Sequence, residues 1–366
     1  MLDHSEEFVW DGEGEAAEVL IHAPDEAAAA RAFERLLPAA RLPGVLSPVH
    51  AAVSTGSLGY VAVSETHASP DLLSAPARGL LLVADVDAGS LNTPAADIKD
   101  FALRGLAEAA PSMPVLNEAG LRRACEEGAA AAAEDGLVEE EDLEHLGPAS
   151  GDPDALGRRA LLAGIRDWEG PFGLERAVVG GVEDTDGAER LGLRPGMLVF
   201  LVVVGAGDLG RLALGTHGGR ISTRIRAGAD FGAGVDPPAA PLETEEAADL
   251  VSAAHAAANF ADARVARAVY ALRRVLGDIT GGLDLRLSWK VGGFEWRDGL
   301  LVHRNNLAAV GEGDALVSGG AVAAGTGKMW RSAPPFGAPE IGGLWPWEEA
   351  GLLWRWVNLD PTGGEG

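Results

Sequence analysis

The stretch Met197–Val204, MLVFLVVV, constrains this fold more than any other. It is a continuous apolar run, shorter than an ordinary helix and rich in β-branched residues. Such a run reads as a strand buried on both faces. Leu80–Val86 has the same character, and Leu58–Ser64 alternates like a half-buried strand. Glu18–His22 adds a short strand.

Helical signals alternate with these strands. Asp25–Leu37 carries apolar residues at helical spacing, with Asp25 near its start. Thr93-Pro94 pairs a capping residue with proline at the first helical position, so a helix should run to about Ala109. Asn117 opens another helix and Gly136 closes it. Leu137–Asp154 is acidic, contains Gly and Pro, and reads as an exposed connection, after which Asp154–Arg166 is helical. Leu242–Leu276 reads as one long helix or a helical pair, and Leu283–Ala324 as strands and turns. There is no internal repeat and no clear linker. The expectation is an α/β fold in a single large body spanning 1–366.

Charge narrows the partners. The chain carries 29 basic and 55 acidic side chains, a net charge of −26. Affinity for a phosphate backbone comes largely from basic groups that release counterions, so RNA is an unfavoured partner. Lysine is confined to Lys99, Lys290 and Lys328, so nearly all positive charge is arginine. The single cysteine, Cys125, excludes an internal disulfide and a thiolate zinc cage. No apolar run reaches membrane-spanning length, and the acidic Met1–Asp11 lacks a secretory signature. These features lead us to expect a cytoplasmic protein with no membrane association.

Familiar catalytic motifs are missing. Gly205–Gly210 matches G-x-G-x-x-G by letter, but the glycine-broken continuation does not read as the helix a dinucleotide site requires. No two histidines have the spacing of a zinc helix, and there is no Gly-x-Ser-x-Gly elbow. His217 is read as lying in a flexible loop where chemistry could occur, or else as a solvated turn residue. Seven of the nine tryptophans fall in the last part of the chain. Among them Trp345, Trp347, Trp354 and Trp356 are candidates for a partner interface or for a core plug.

Read in order, several segments resemble the RtcB-type tRNA-splicing RNA ligases over nearly the whole chain. Val83–Gly89 is similar to the family's "GVDIGCG", and Gly170–Glu175 sits where the family has "GNHFLE". Ala188–Gly196 looks like "AxxFGLxxGQ" and leads into Gly205–Gly210, like "HTGSRGLG". Ala257–Ala261 is similar to "AANYA", and Val302-His303-Arg304 to the start of "VHRKGATRA". The resemblance implies a multi-layer RtcB-like α/β domain. In the family, one cysteine and several histidines hold manganese, and a histidine nucleophile carries GMP.

By position, this chain has replaced those ligands with Ala88, Phe172, Val203 and Trp289. The "HGAGR" nucleophile segment has no counterpart, and a Trp-rich C-terminal segment, 330–366, stands in its place. Apolar side chains cannot coordinate a cation, and large ones would fill the cavity. Asp85 is the aspartate that survives. His303, Arg304 and Asn259 are the other residual family positions. The resemblance therefore implies no catalytic residues, no metal and no cofactor, in a pseudoenzyme that acts as a binding or scaffold partner of a protein or of itself. The alternative is an enzyme with residual or altered metal- or nucleotide-dependent activity.

Overall fold

The computed structural model describes residues 6–11, 16–23, 25–54, 57–87, 116–147, 150–168, 173–182, 189, 192–231, 237–309, 316–318, 321–324, 328–329 and 357–360. The helix expected over 93–109 lies outside them. So do Ala88, Phe172, Trp345, Trp347, Trp354 and Trp356.

Two sheets and one long helix organise these residues. Sheet one has the order β1-β2-β3-β4-β12-β11, with β1 Glu6–Trp10, β2 Val19–Ala23, β3 Val45–Ser54, β4 Ser57–Ser64, β11 Gly293–Arg297 and β12 Leu300–Asn305. Only β2 and β3 run parallel within it, and α1, Glu26–Ala40, makes the crossover that such a pair requires. The Asp25 side chain caps α1 by accepting from the Ala28 N–H at 2.7 Å. One face of α1, with Ala28, Ala32 and Leu36, packs on Val19, Ile21, Val49 and Tyr60.

Sheet two has the order β10-β6-β8-β7-β17 and is antiparallel throughout: β6 Ala77–Asp87, β7 Gly173–Val182, β8 Met197–Gly205, β10 Leu283–Lys290 and β17 Val357–Asp360. The two runs read as buried strands, β6 and β8, sit at its centre. The expected Leu283–Ala324 strands include β10 to β12 and β13 to β15, at Leu307–Ala309, Leu316–Ser318 and Ala321–Ala324. The remaining strands are β5 at His67–Ala68, β9 at Ala240–Pro241 and β16 at Lys328–Met329.

The helices after α1 are α2 Glu118–Glu127, α3 Ala129–Glu134, α4 Glu140–Leu143, α5 Arg158–Asp167, α6 Gly207–Arg226 and α7 Glu245–Thr280. Of these, α7 is a single 36-residue helix, not a pair, capped by Thr244 at its start and by left-handed Gly281 at its end. It is buried along most of its length because alanines let neighbours approach from several sides. Its C-terminal half covers sheet two through Val265, Val269, Leu272 and Leu276. Its middle packs on α2, α5 and α6 around Phe260, Trp168 and Leu209. Leu250 and Ala254 meet Phe294 and Leu301 of sheet one.

Three expectations are corrected. The helix opened by Asn117 stops at Gly128, a positive-φ residue packed against Asn259, and resumes as α3 before Gly136. The connection Leu137–Asp154 is only partly exposed. Leu137 and Leu146 join the core, and buried Asp142 pairs with Arg273 of α7 at 2.5 Å. The glycine-broken stretch after Gly205 is the 20-residue helix α6. Its glycines serve close packing: a Cβ on Gly210 would press on Ala206 and Pro76, and one on Gly218 on Pro70.

Candidate functional site

Of the positions that the resemblance marks as former metal ligands, the two among the described residues, Val203 and Trp289, lie on one face of sheet two. Trp289 of β10 pairs with Gly79 of β6, Gly79 pairs with Val203 of β8, and Val203 with Gly173 of β7. Residues paired across a sheet point to the same side. The neighbouring positions Leu80, Val202 and Val204 point the other way, into the core under α7. The Trp289 indole fills the space that a glycine at 79 leaves open: a Cβ there would lie 2.1 Å from its Cε2 atom. Trp289 and Val203 are each 5% exposed. The indole Nε1 has no hydrogen-bond partner, so the ring acts as an apolar filler.

Asp85 lies further along β6. Ala84 and Val86 pack with the α7 core, so alternation turns Asp85 to the Trp289 face. It is exposed, and its carboxylate lies against the Gly281-Gly282 turn, where a Cβ on Gly282 would meet Asp85 Oδ2 at 2.5 Å. Asp87 is bound to Arg194 at 2.5 Å.

The other residual positions do not join this face. Asn259 of α7 donates to the Cys125 and Glu126 carbonyls at 3.0 and 2.9 Å, tying down the end of α2. His303 of β12 is fully buried, edge-on to the Phe294 ring, and its Nε2 accepts the Ser69 N–H at 3.2 Å. That bond fixes the Nδ1–H tautomer. Burial pushes the imidazole pKa down to about 3, so the ring stays neutral. Arg304 donates to Glu295 through Nε, at 3.1 Å, and through Nη2.

His217 is not in a loop. It is a buried residue of α6 whose Nε2 lies 2.8 Å from the Ala155 carbonyl. A carbonyl only accepts, so Nε2 carries the proton and Nδ1 is left as an acceptor. Burial lowers its pKa. The residue borders an open groove of about 540 Å³ between α6 and the start of α7. Arg220–Asp249 and Arg224–Glu246 pairs bridge that groove at 3.5 and 2.7 Å.

The glycine motif does meet a helix, yet it has no free anion cradle. Asp167 accepts from the Leu209 N–H at 3.1 Å, and a Cβ on Gly207 would lie 2.7 Å from the same carboxylate. A protein carboxylate thus occupies the place a pyrophosphate would take at this helix start. The flanking strands are also antiparallel, unlike those of a dinucleotide fold.

Sequence reading named Arg304 but missed the charges gathered around it where sheet two meets sheet one: Arg78, His255, Asp262, Lys290 and Glu295. Arg78 and Asp262 form a buried two-pronged pair at 2.7 and 2.5 Å. Burial lowers the pKa of Lys290, against the opposing pull of Glu295. Burial would raise the Glu295 carboxyl, but Arg304 and Lys290 more than offset it and hold it low. The rarity of lysine was the one available signal for this group. Among the described residues, no three His, Cys, Asp or Glu side chains gather as a metal-ligand set, and no helix is long and apolar enough to cross a membrane. No protein-family model matches the chain, and no curated protein matches it.

Proposed function

We propose that this chain is an RtcB-like protein that has given up ligase chemistry and works by binding a protein partner or a second copy of itself. The observation that carries the reading is the packing of the Trp289 indole over Gly79, on the same sheet face as Val203. By the resemblance to the family, two ligand positions share this rung, and here both are apolar and buried. A buried indole and a valine supply no lone pair to a cation and leave no room for one. The net charge of −26 favours a partner with a basic face over RNA.

The direct test is incubation of the full chain with radiolabelled GTP and manganese. We expect no covalent GMP on the protein. An adduct that survives denaturation would overturn this reading in favour of an active nucleotidyl-transfer enzyme. Binding is tested in the full chain by replacing Trp345, Trp347, Trp354 and Trp356 with alanine. Shortening the chain would also remove β17 from the edge of sheet two. Unchanged self-association and partner capture would sink the role assigned to those tryptophans.

A further inference from the structure

Sheet one ends on a hairpin whose outer edge is open. Among the described residues, β11 pairs with β12 and no strand lies on its other side. Arg297 and Leu300 flank the two-residue turn Asp298-Gly299, whose residues both have positive φ, at 52° and 82°. The pair flanking such a turn exchanges both backbone hydrogen bonds. Bonding direction alternates along a strand, so Arg297 and Glu295 use their N–H and C=O groups on β12. Phe294 and Trp296 therefore point theirs at the open edge. The side chains at this edge are unmatched as well. Trp296 is a large apolar side chain left 47% exposed. Arg297 is exposed and makes no ion pair among the described residues. Glu295 gives Oε2 to Arg304 and leaves Oε1 without a hydrogen bond among them.

We infer that β11 is a docking edge for a second copy of this chain, joined antiparallel about a two-fold axis at Trp296. An axis through Glu295 or Arg297 would set that residue against its own copy, and like charges directly opposite repel. An axis through Phe294 would bring Trp296 against Gly292, which lies outside β11 and is packed on Ser74. An axis through Trp296 sets Glu295 against Arg297 of the copy, and Arg297 against Glu295 of the copy. These are pairs without a backbone hydrogen bond, the closer kind, with Cα atoms about 4.5 Å apart. The two Trp296 residues exchange their outward N–H and C=O groups. Their indoles meet on the opposite face, where aromatic cross-strand pairs stabilise a sheet. The edge is thus self-complementary in charge, hydrogen bonding and apolar surface, as a two-fold interface must be. Repulsion between two chains of net charge −26 is screened over about 8 Å at physiological salt, so the charges at the edge decide. This surface is separate from the C-terminal tryptophans, and it stands whether or not ligase chemistry has been given up.

Sedimentation velocity on the full chain at physiological salt tests the pairing. The edge is short, so the dimer is weak, with Kd on the order of tens of micromolar. A species of twice the 37.7 kDa chain mass should grow with protein concentration. Hydrogen exchange should slow at the Trp296 amide as the dimer fills, while Glu295 and Arg297, already bonded to β12, stay unchanged. Arg297→Glu turns both opposite-charge pairs into like-charge pairs and should raise Kd about tenfold. Trp296→Lys guards the edge with a charge and should act in the same direction. Both positions are exposed, so circular dichroism should show the fold retained. A chain that stays monomeric well above that concentration overturns the proposal. So does a dimer that either variant leaves unchanged, or one that forms without protecting the Trp296 amide, since its interface lies elsewhere.

Discussion

Gly79→Ala tests whether the Trp289 indole is a tightly fitted filler. The added Cβ would lie 2.1, 2.3 and 2.4 Å from ring atoms Cε2, Nε1 and Cζ2. Carbon atoms pack best near 3.5 Å, so the ring or the strand must move by about 1.4 Å. The strand is held on both sides, because Gly79 pairs with Trp289 in β10 and with Val203 in β8. The ring is itself buried, at 5% exposure. Overpacking of this kind costs about 1–3 kcal/mol, and a rigid wall on both sides puts the expectation at about 3 kcal/mol. Trp289→Ala removes the wall and costs about 3–5 kcal/mol by leaving a cavity. In that background Gly79→Ala should cost less than about 1 kcal/mol, giving a coupling near 2 kcal/mol. Urea unfolding followed by far-ultraviolet circular dichroism measures all four proteins without relying on tryptophan emission. A near-neutral Gly79→Ala, or a penalty unchanged in the Trp289→Ala background, would refute the packing argument and remove the support it gives to the proposed function.

Three further expectations concern buried polar groups. His303 has a folded pKa near 3 against an ordinary value of 6.5, so the unfolded chain takes up the proton first. Its contribution to stability is complete above pH 6.5 and declines towards pH 3, by about 1.4 kcal/mol per pH unit. His217 and His255 add loss in the same direction. His303→Gln can still accept from Ser69, so its urea midpoint should fall less steeply with pH than the wild type's; identical pH slopes would contradict this. Arg78→Met leaves the Asp262 carboxylate buried and unpaired, at a cost of about 3–5 kcal/mol. Adding Asp262→Leu to that variant should restore most of the loss in denaturant unfolding. Asp167→Ala removes the acceptor at the start of α6 and should cost about 1 kcal/mol, with faster amide exchange at Leu209.

Local chemistry made much of the fold legible. Asp25, Asn117 and Thr244 each accept a backbone N–H three residues on, and such caps act within one turn of chain. The apolar runs of β6 and β8 are short for helices and rich in β-branched residues, and both are buried strands. The α6 helix was not legible. Its five glycines, Gly207, Gly210, Gly215, Gly218 and Gly219, weaken intrinsic helicity, and tertiary packing supplies what propensity does not. His217 was misplaced for the same reason.

Among the candidate residues, the sequence by itself placed Asp85 and Val203 in strands, and left Trp289, His303 and Arg304 in a stretch of strands and turns. It could not bring Trp289 and Val203 onto one rung, because strand order and register join positions far apart in the chain. Nor could it separate Asn259 from that face, since its role depends on the end of α2 lying beneath it. The sequence determined which residues are apolar, where many segments start and stop, and that a net charge of −26 must be carried. Only the tertiary structure decided which charges are buried together. Lys290, Arg304, Arg78 and Asp262 meet because β10 passes from sheet two into sheet one at Val291-Gly292, where a Cβ on Gly292 would lie 2.3 Å from Ser74 Oγ. Electrostatic matching acts over a few ångströms of space and is indifferent to distance along the chain.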